Sequence, residues 1–225
     1  MNGFQSSDSK DSPRDKATDP SFPVASIELK GAAGEKVRIH LADGSFFIVH
    51  AEVVASERIR TGDVLASQQV ESLKARSEMI LAREAALNFL SRAAQTRRGL
   101  ARKLRSRGFG TNATSSAVYR MIELGYVDDR AFAENWVRFR ISTRKEGWKS
   151  LYRGLLQNGV QRAVAEEVLQ AGFPEDVELE RARVLVHKLS DKAVVSKLTS
   201  RGFRSRTIAR ILSEMKREAR QGTEE

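Results

Sequence analysis

The side chains of this 225-residue chain best suited to chemistry are clustered arginines and lysines. The first cluster is Arg97, Arg98, Arg102, Lys103, Arg105 and Arg107, six cations in eleven positions with no acid among them. The second is Arg138, Arg140, Arg144, Lys145, Lys149 and Arg153, diluted only by Glu146. The third is Lys197, Arg201, Arg204, Arg206 and Arg210. A guanidinium presents a planar fork of donors that fits phosphate or carboxylate oxygens. The chemistry on offer is therefore recognition of an anion. Fewer than about half of these residues are expected to touch a partner, since interface energy concentrates in a minority of contacts.

Bond-making chemistry has no comparable candidates. The chain has no cysteine, which excludes disulfides, thiol catalysis and thiolate metal sites. Its histidines, His40, His50 and His187, lack ligand spacing. There is no glycine-rich loop followed by Lys-Ser/Thr, no G-x-S-x-G and no H-E-x-x-H. The pair Asp128-Asp129 stands just before an apolar-periodic run, where aspartates cap helices and complement their dipole. Asp191 and Ser205 hold similar positions. The expectation is a non-enzyme with no cofactor and no metal.

Totals agree with anion recognition. The formal net charge is +10, the charged fraction is 30% and the apolar fraction only 40%. Nucleic acid, an acidic protein face or a membrane surface are the partners such a balance suits. The most apolar run, Phe46 to Ala55, is too short to cross a bilayer, and the N-terminus lacks a signal pattern. A soluble cytoplasmic protein is expected.

The elements that must position the cations follow from periodicity. Residues 1–24 are rich in Ser, Asp, Lys and Pro and read as a disordered tail. Residues 25–66 alternate with period two around Asp43-Gly44, a hairpin signal in which both central residues tolerate positive φ. They predict a three-stranded β-meander, with Ala51 to Ile59 as its helical cover. From Gln68 to Ala94 the pattern is helical; the run is long enough to admit a break near Ser77, while the absence of proline between Pro23 and Pro174 favours continuous helices.

Three windows then repeat: Leu100…Leu104…Gly108-Phe109, Leu151…Leu155…Gly159-Val160 and Val194…Leu198…Gly202-Phe203. Each has apolar residues at i and i+4, a glycine four further on and an apolar residue next. The i, i+4 pair makes one buried helix stripe. The glycine ends the helix in the left-handed conformation, and its neighbour folds back on the stripe. A second periodic segment follows each window, and a helix precedes it, carrying Leu87 and Leu90, then Phe132, Trp136 and Phe139, then Leu179, Ala182, Val186 and Leu189. The glycines recur at intervals of 51 and 43 residues. The predicted fold is mainly α: an elongated tandem array of three three-helix modules behind a small N-terminal β-meander. The modules span 67–128 (with a linking helix), 129–173 and 174–225 (with a short tail). Trp136, Trp148, Tyr126 and Tyr152 are assigned to helix packing, with Tyr152 the best candidate for stacking on a base.

The run Gly125-Tyr126-Val127-Asp128-Asp129-Arg130-Ala131-Phe132-Ala133 resembles a signature of the RecX family of bacterial recombination regulators. So do Lys103-Leu104…Gly108-Phe109 upstream and Lys145-Glu146-Gly147-Trp148…Leu155…Gly159-Val160 downstream. The similarity spans roughly Glu84 to Arg217. Gly99 departs from it, since family members more often carry a helix former there, as does Trp148, more usually Tyr. The resemblance implies a RecA modulator. Such a protein lies along the groove of the RecA–single-stranded DNA filament, inhibits ATP hydrolysis and strand exchange, and limits filament growth in recombination and the SOS response. RecA, its DNA filament and single-stranded or double-stranded DNA are the implied partners of a monomer. The expected contact set is Arg97, Arg98, Arg102, Lys103, Arg105, Arg107, Arg140, Arg144, Lys145, Lys149, Arg153, Arg201, Arg204 and Arg206. The alternative is a direct DNA-binding, helix-turn-helix-like repair or transcription factor. A basic scaffold on ribosomes or RNA is a third reading.

Overall fold

The computed structural model describes residues 20–31, 34–187 and 189–221. The chain divides after Ser77 into two compact units. In the first, β1 (Ser21–Lys30), β2 (Lys36–Leu41) and β3 (Phe46–His50) form the expected antiparallel meander. Helix α1 (Ala51–Glu57) follows, with Val53 buried. A fourth strand, β4 (Val64–Ala66), completes a sheet of order β3-β2-β1-β4. It pairs Ser21 with Ala66 and Pro23 with Val64.

That pairing corrects two expectations. Among the described residues the sheet has four strands, not three, and residues 21–24 belong to β1 rather than to a tail. Val24 and Leu65 are buried, and the carbonyls of Pro20 and Pro23 accept from the Ser67 and Ala42 amides. Long-range partners thus supply what this proline-rich stretch lacks locally. The rest of the expected tail, residues 1–19, lies outside the described residues. At the Asp43-Gly44 turn only Gly44 takes a positive φ, 87°. The Asp43 carboxylate instead accepts from the Ser45 amide at 2.8 Å and hydroxyl at 2.7 Å.

Helix α2 (Ser67–Arg92) runs unbroken through Ser77, whose buried hydroxyl accepts from the His50 amide. It is followed by α3 (Arg97–Ser106) and α4 (Thr111–Glu123), then α5 (Asp129–Thr143), α6 (Trp148–Gln157) and α7 (Arg162–Gly172). The last three are α8 (Glu175–Val186), α9 (Asp191–Ser200) and α10 (Ser205–Gln221). Three apolar clusters give the second unit its tandem helical modules. The first gathers Ala82, Ala86, Leu100, Leu104, Val118 and Met121. The second gathers Val137, Leu151, Leu155, Val168 and Phe173. The third gathers Leu179, Val194, Leu198, Phe203 and Ile211. On α2 the core face is Ala82 and Ala86, whereas Leu87, expected inside, is 44% exposed. Phe139 on α5 is exposed as well.

The repeated windows are one local device made three times. Gly108, Gly159 and Gly202 take φ of 90°, 92° and 78°. The next amide turns back to the carbonyl five residues before it: Phe109 to Leu104, Val160 to Leu155, Phe203 to Leu198. This satisfies carbonyls orphaned at the helix end and points the apolar residue at the stripe.

Consecutive modules are joined by a second repeated device. Each time, an acid from the next module accepts from the first amide of the preceding module's middle helix. Asp129 on α5 accepts from the Arg97 amide at 2.7 Å, and Glu178 on α8 from the Trp148 amide at 2.8 Å. The following glycine turn seals the contact. A Cβ on Gly159 would stand 2.6 Å from Arg98 Cβ, and one on Gly202 would stand 2.6 Å from the Ser150 amide nitrogen. Gly147 is tighter still, with a Cβ there 2.3 Å from Phe203 Cα. Gly108, with no preceding module to meet, faces open space. Gly99 is explained here too. It is buried where α3 meets the end of α6, and a Cβ would press on Thr96 Oγ1 at 3.0 Å.

Candidate partner and nucleic-acid interface

The first cluster rides on α3, whose Leu100 and Leu104 face the core and whose Thr96 side chain caps the amide of Gly99. Arg98, Arg102 and Arg105, at i, i+4 and i+7, point the opposite way. All three are exposed and, among the described residues, make no ion pair. Lys103 and Arg107 lie over the Phe89 ring at 5.5 and 5.1 Å. Arg97 sits 4.0 Å from Asp129, the acid that caps its own amide. Asp129 therefore serves α3 from 32 positions away, while Asp128 alone caps α5, accepting from the amides of Arg130 and Ala131. The two aspartates were expected to serve the same helix.

Superposing the windows by their glycines aligns the outward positions of the three middle helices. Arg98 corresponds to Lys149 and Lys192, Arg102 to Arg153 and Ser196, Arg105 to Leu156 and Thr199. The outward face thus carries three cations in the first module, two in the second and one in the third. Lys149 and Arg153 are exposed, and Lys149 Nζ lies 3.3 Å from the Ser205 hydroxyl. Arg144 and Lys145 are exposed in the loop before α6, their carbonyls accepting from Arg181 and Arg201.

Two of the expected contact residues are taken up inside the fold. Arg140 is bound in a fork to Glu146, at 2.6 and 3.1 Å, and lies over the Trp136 ring. Arg204 donates from Nε to the fully buried Glu178 at 2.6 Å and lies over Trp148. Glu178 collects the Trp148 and Arg204 amides on Oε1, and Arg204 Nε and the Thr207 hydroxyl on Oε2. Arg206 pairs with Glu175 at 2.9 Å but stays exposed.

Among the aromatics, Tyr152 stacks on Trp148 at 4.9 Å and donates to Glu166 at 3.0 Å. Desolvation first, and Glu166 second, hold its hydroxyl above the ordinary pKa. Trp136 is half-buried against Gly154. Tyr126 differs from expectation: it is 58% exposed, because Val127, not Tyr126, turns into the core. Among the described residues there is no group of three or more His, Asp or Glu side chains placed to hold a metal. No described helix is long and apolar enough to cross a membrane.

What sequence reasoning missed are Glu178, Lys192 and the basic residues of α10 beyond Arg210. Glu178 carries no local signal, because its partners lie 26 to 30 positions away. The α10 residues do carry one, a regular helical spacing of Lys and Arg.

Residues 82–121 match the family model described as RecX, first three-helix domain, and residues 128–169 match RecX, second three-helix domain. A regulatory protein RecX from Caldanaerobacter subterraneus subsp. tengcongensis is 31% identical over 150 residues, spanning 65% of this chain and 74% of the relative. One from Clostridium botulinum (strain Alaska E43 / Type E3) is 27% identical over 165 residues, spanning 73% and 76%. A crystal structure of regulatory protein RecX aligns over 85% of this chain and 99% of that one, with a TM-score of 0.62 at 22% identity. RecX from Lactobacillus salivarius aligns over 62% and 97%, with a TM-score of 0.58 at 25% identity. These likenesses bear on the fold.

Proposed function

The chain belongs to the RecX family, and from that premise we propose that it regulates RecA by binding RecA and the RecA–single-stranded DNA filament. In this reading it inhibits ATP hydrolysis and strand exchange, and it limits filament growth during recombination and the SOS response. It acts without catalysis or cofactor, as a cytoplasmic monomer.

The observation that carries the reading is the row of exposed cations, without an ion pair among the described residues, on matched positions of successive modules: Arg98, Arg102 and Arg105, then Lys149 and Arg153. A repeated cationic row suits a partner whose anionic groups also repeat, as they do along a protein–DNA filament. Contacts made by linked modules reinforce one another through effective concentration. Arg140 and Arg204 are left out of the contact set because their charges are already used.

The test is RecA-dependent ATP hydrolysis on single-stranded DNA, with the full chain added at up to equimolar amounts. Wild type should inhibit, and Arg102→Glu/Arg105→Glu should weaken inhibition at least tenfold with helicity unchanged. The salt slope should shrink by about 0.7 for each single-strand phosphate contact removed. Absence of any effect by wild type would sink the reading, and unchanged inhibition by the variant would sink the cationic row. The alternative, a helix-turn-helix-like DNA-binding factor, is favoured by one feature, the basic third helix of the last module.

A further inference from the structure

We propose that the outward face of α10 is a binding surface for duplex DNA, separate from the cationic row on α3 and α6. Helix α10 buries Thr207, Ile208 and Ile211 in the third module. The face opposite that core carries Arg206, Arg210, Lys216, Arg217 and Arg220. All five are exposed. Lys216, Arg217 and Arg220 make no ion pair among the described residues, while Arg206 and Arg210 reach Glu175 and Glu214 at 2.9 and 3.6 Å. The acids of the helix, Glu214 and Glu218, fall on its flank, so the stripe itself is uninterrupted.

The cations are peculiar to this module. Four residues after the turn glycine stand Asn112 in the first module, Ala163 in the second and Arg206 in the third. Eight residues after it stand Ser116, Glu167 and Arg210. The middle helices lose cations toward the C-terminus, and the last third helix gains them.

Shape and composition point to a duplex. Arg206 and Arg220 are 14 residues apart, about 21 Å along the axis at the usual rise. Between the cations lie only small side chains, Ala209 and Ser213. They allow the helix backbone to approach a groove floor while the long cations spread to the phosphates on either wall. A B-form major groove, about 12 Å wide, admits one helix in this way. Single-stranded binding sites add aromatic platforms for the bases, and α10 has no Phe, Tyr or Trp. The third helix of a three-helix unit is also the element that enters the major groove in helix-turn-helix proteins.

The test omits RecA, so its outcome is independent of the filament reading. Fluorescence anisotropy of the full chain is measured on a labelled 20-base-pair duplex and on a single strand of equal length, at 50 to 200 mM salt. Wild type should bind the duplex with a steep salt dependence. Arg210→Glu/Arg217→Glu should weaken duplex affinity at least tenfold at low salt, and single-strand affinity less than threefold. Arg217→Ala/Arg220→Ala, which adds no new charge, should lower the salt slope by about two. Circular dichroism and thermal unfolding confirm that both variants fold. If wild type does not bind the naked duplex, or if Arg217→Ala/Arg220→Ala binds it within twofold of wild type, the proposal is overturned. Equal losses on duplex and single strand also overturn it, because they mark a general polyanion surface.

Discussion

Glu178→Gln is the substitution that most directly probes how the modules are held together. The carboxylate is fully buried and accepts four hydrogen bonds, from the Trp148 and Arg204 amides at 2.8 and 3.2 Å, Arg204 Nε at 2.6 Å and Thr207 Oγ1 at 2.7 Å. Glutamine has the same shape. Its oxygen can keep the two amides, but its NH2 then faces the Arg204 N–H, donor against donor. The Arg204 side chain is only 17% exposed, and its Nη2 has no hydrogen-bond partner among the described residues. Removing one partner of a buried pair costs about 3–5 kcal/mol, mostly for stranding the other charge. The residual exposure of Arg204 places the expected loss at the lower end, about 3 kcal/mol. At about 2–4 °C per kcal/mol for a unit of this size, melting should fall by about 6–12 °C. Amide exchange at Trp148 and Arg204 should accelerate by more than exchange in the α3–α4 core. Glu178→Gln/Arg204→Met, which removes the stranded charge, should recover most of the loss. A single variant within about 1 kcal/mol of wild type, or a double variant no better than the single, would refute the reasoning.

The turn glycines separate conformational strain from module docking. Gly108→Ala forces a left-handed alanine into open space and should cost about 1–2 kcal/mol in a urea titration. Gly202→Ala adds a methyl 2.6 Å from the Ser150 backbone, and its midpoint should fall distinctly further; equal midpoints would remove the glycine from the docking contact. Glu214, forked by Arg183 at 2.8 and 3.0 Å, has its carboxyl held below the ordinary value of 4.5, chiefly by that hydrogen bond. Its contribution to stability is complete above pH 4.5 and is lost as pH falls through the lowered value. Glu214→Gln should therefore flatten the acid limb of the pH–stability curve, and an unchanged limb would contradict the assignment.

The features legible in the chain were those with short-range causes. Leu104, Gly108 and Phe109 specify a helix end within six residues, and the same logic holds at Gly159 and Gly202, so the modules could be read from spacing alone. Asp128 as a cap was equally legible, because the amides that donate to it are two and three residues away. Strand β4 was not, since three residues carry too little period to register and its partner Ser21–Pro23 lies some forty positions earlier. Charge was legible only as composition. Nothing local distinguishes Arg102, which makes no ion pair among the described residues, from Arg140 and Arg204, whose charges Glu146 and Glu178 consume. The reach of Asp129 to Arg97 and of Glu178 to Trp148 likewise depends on modules already folded and packed. The sequence by itself determined the repeating unit, because a helix stripe and its glycine stop are set by neighbours in the chain. Tertiary structure alone decided which cations are paired within the fold, because an ion pair is chosen by distance in space.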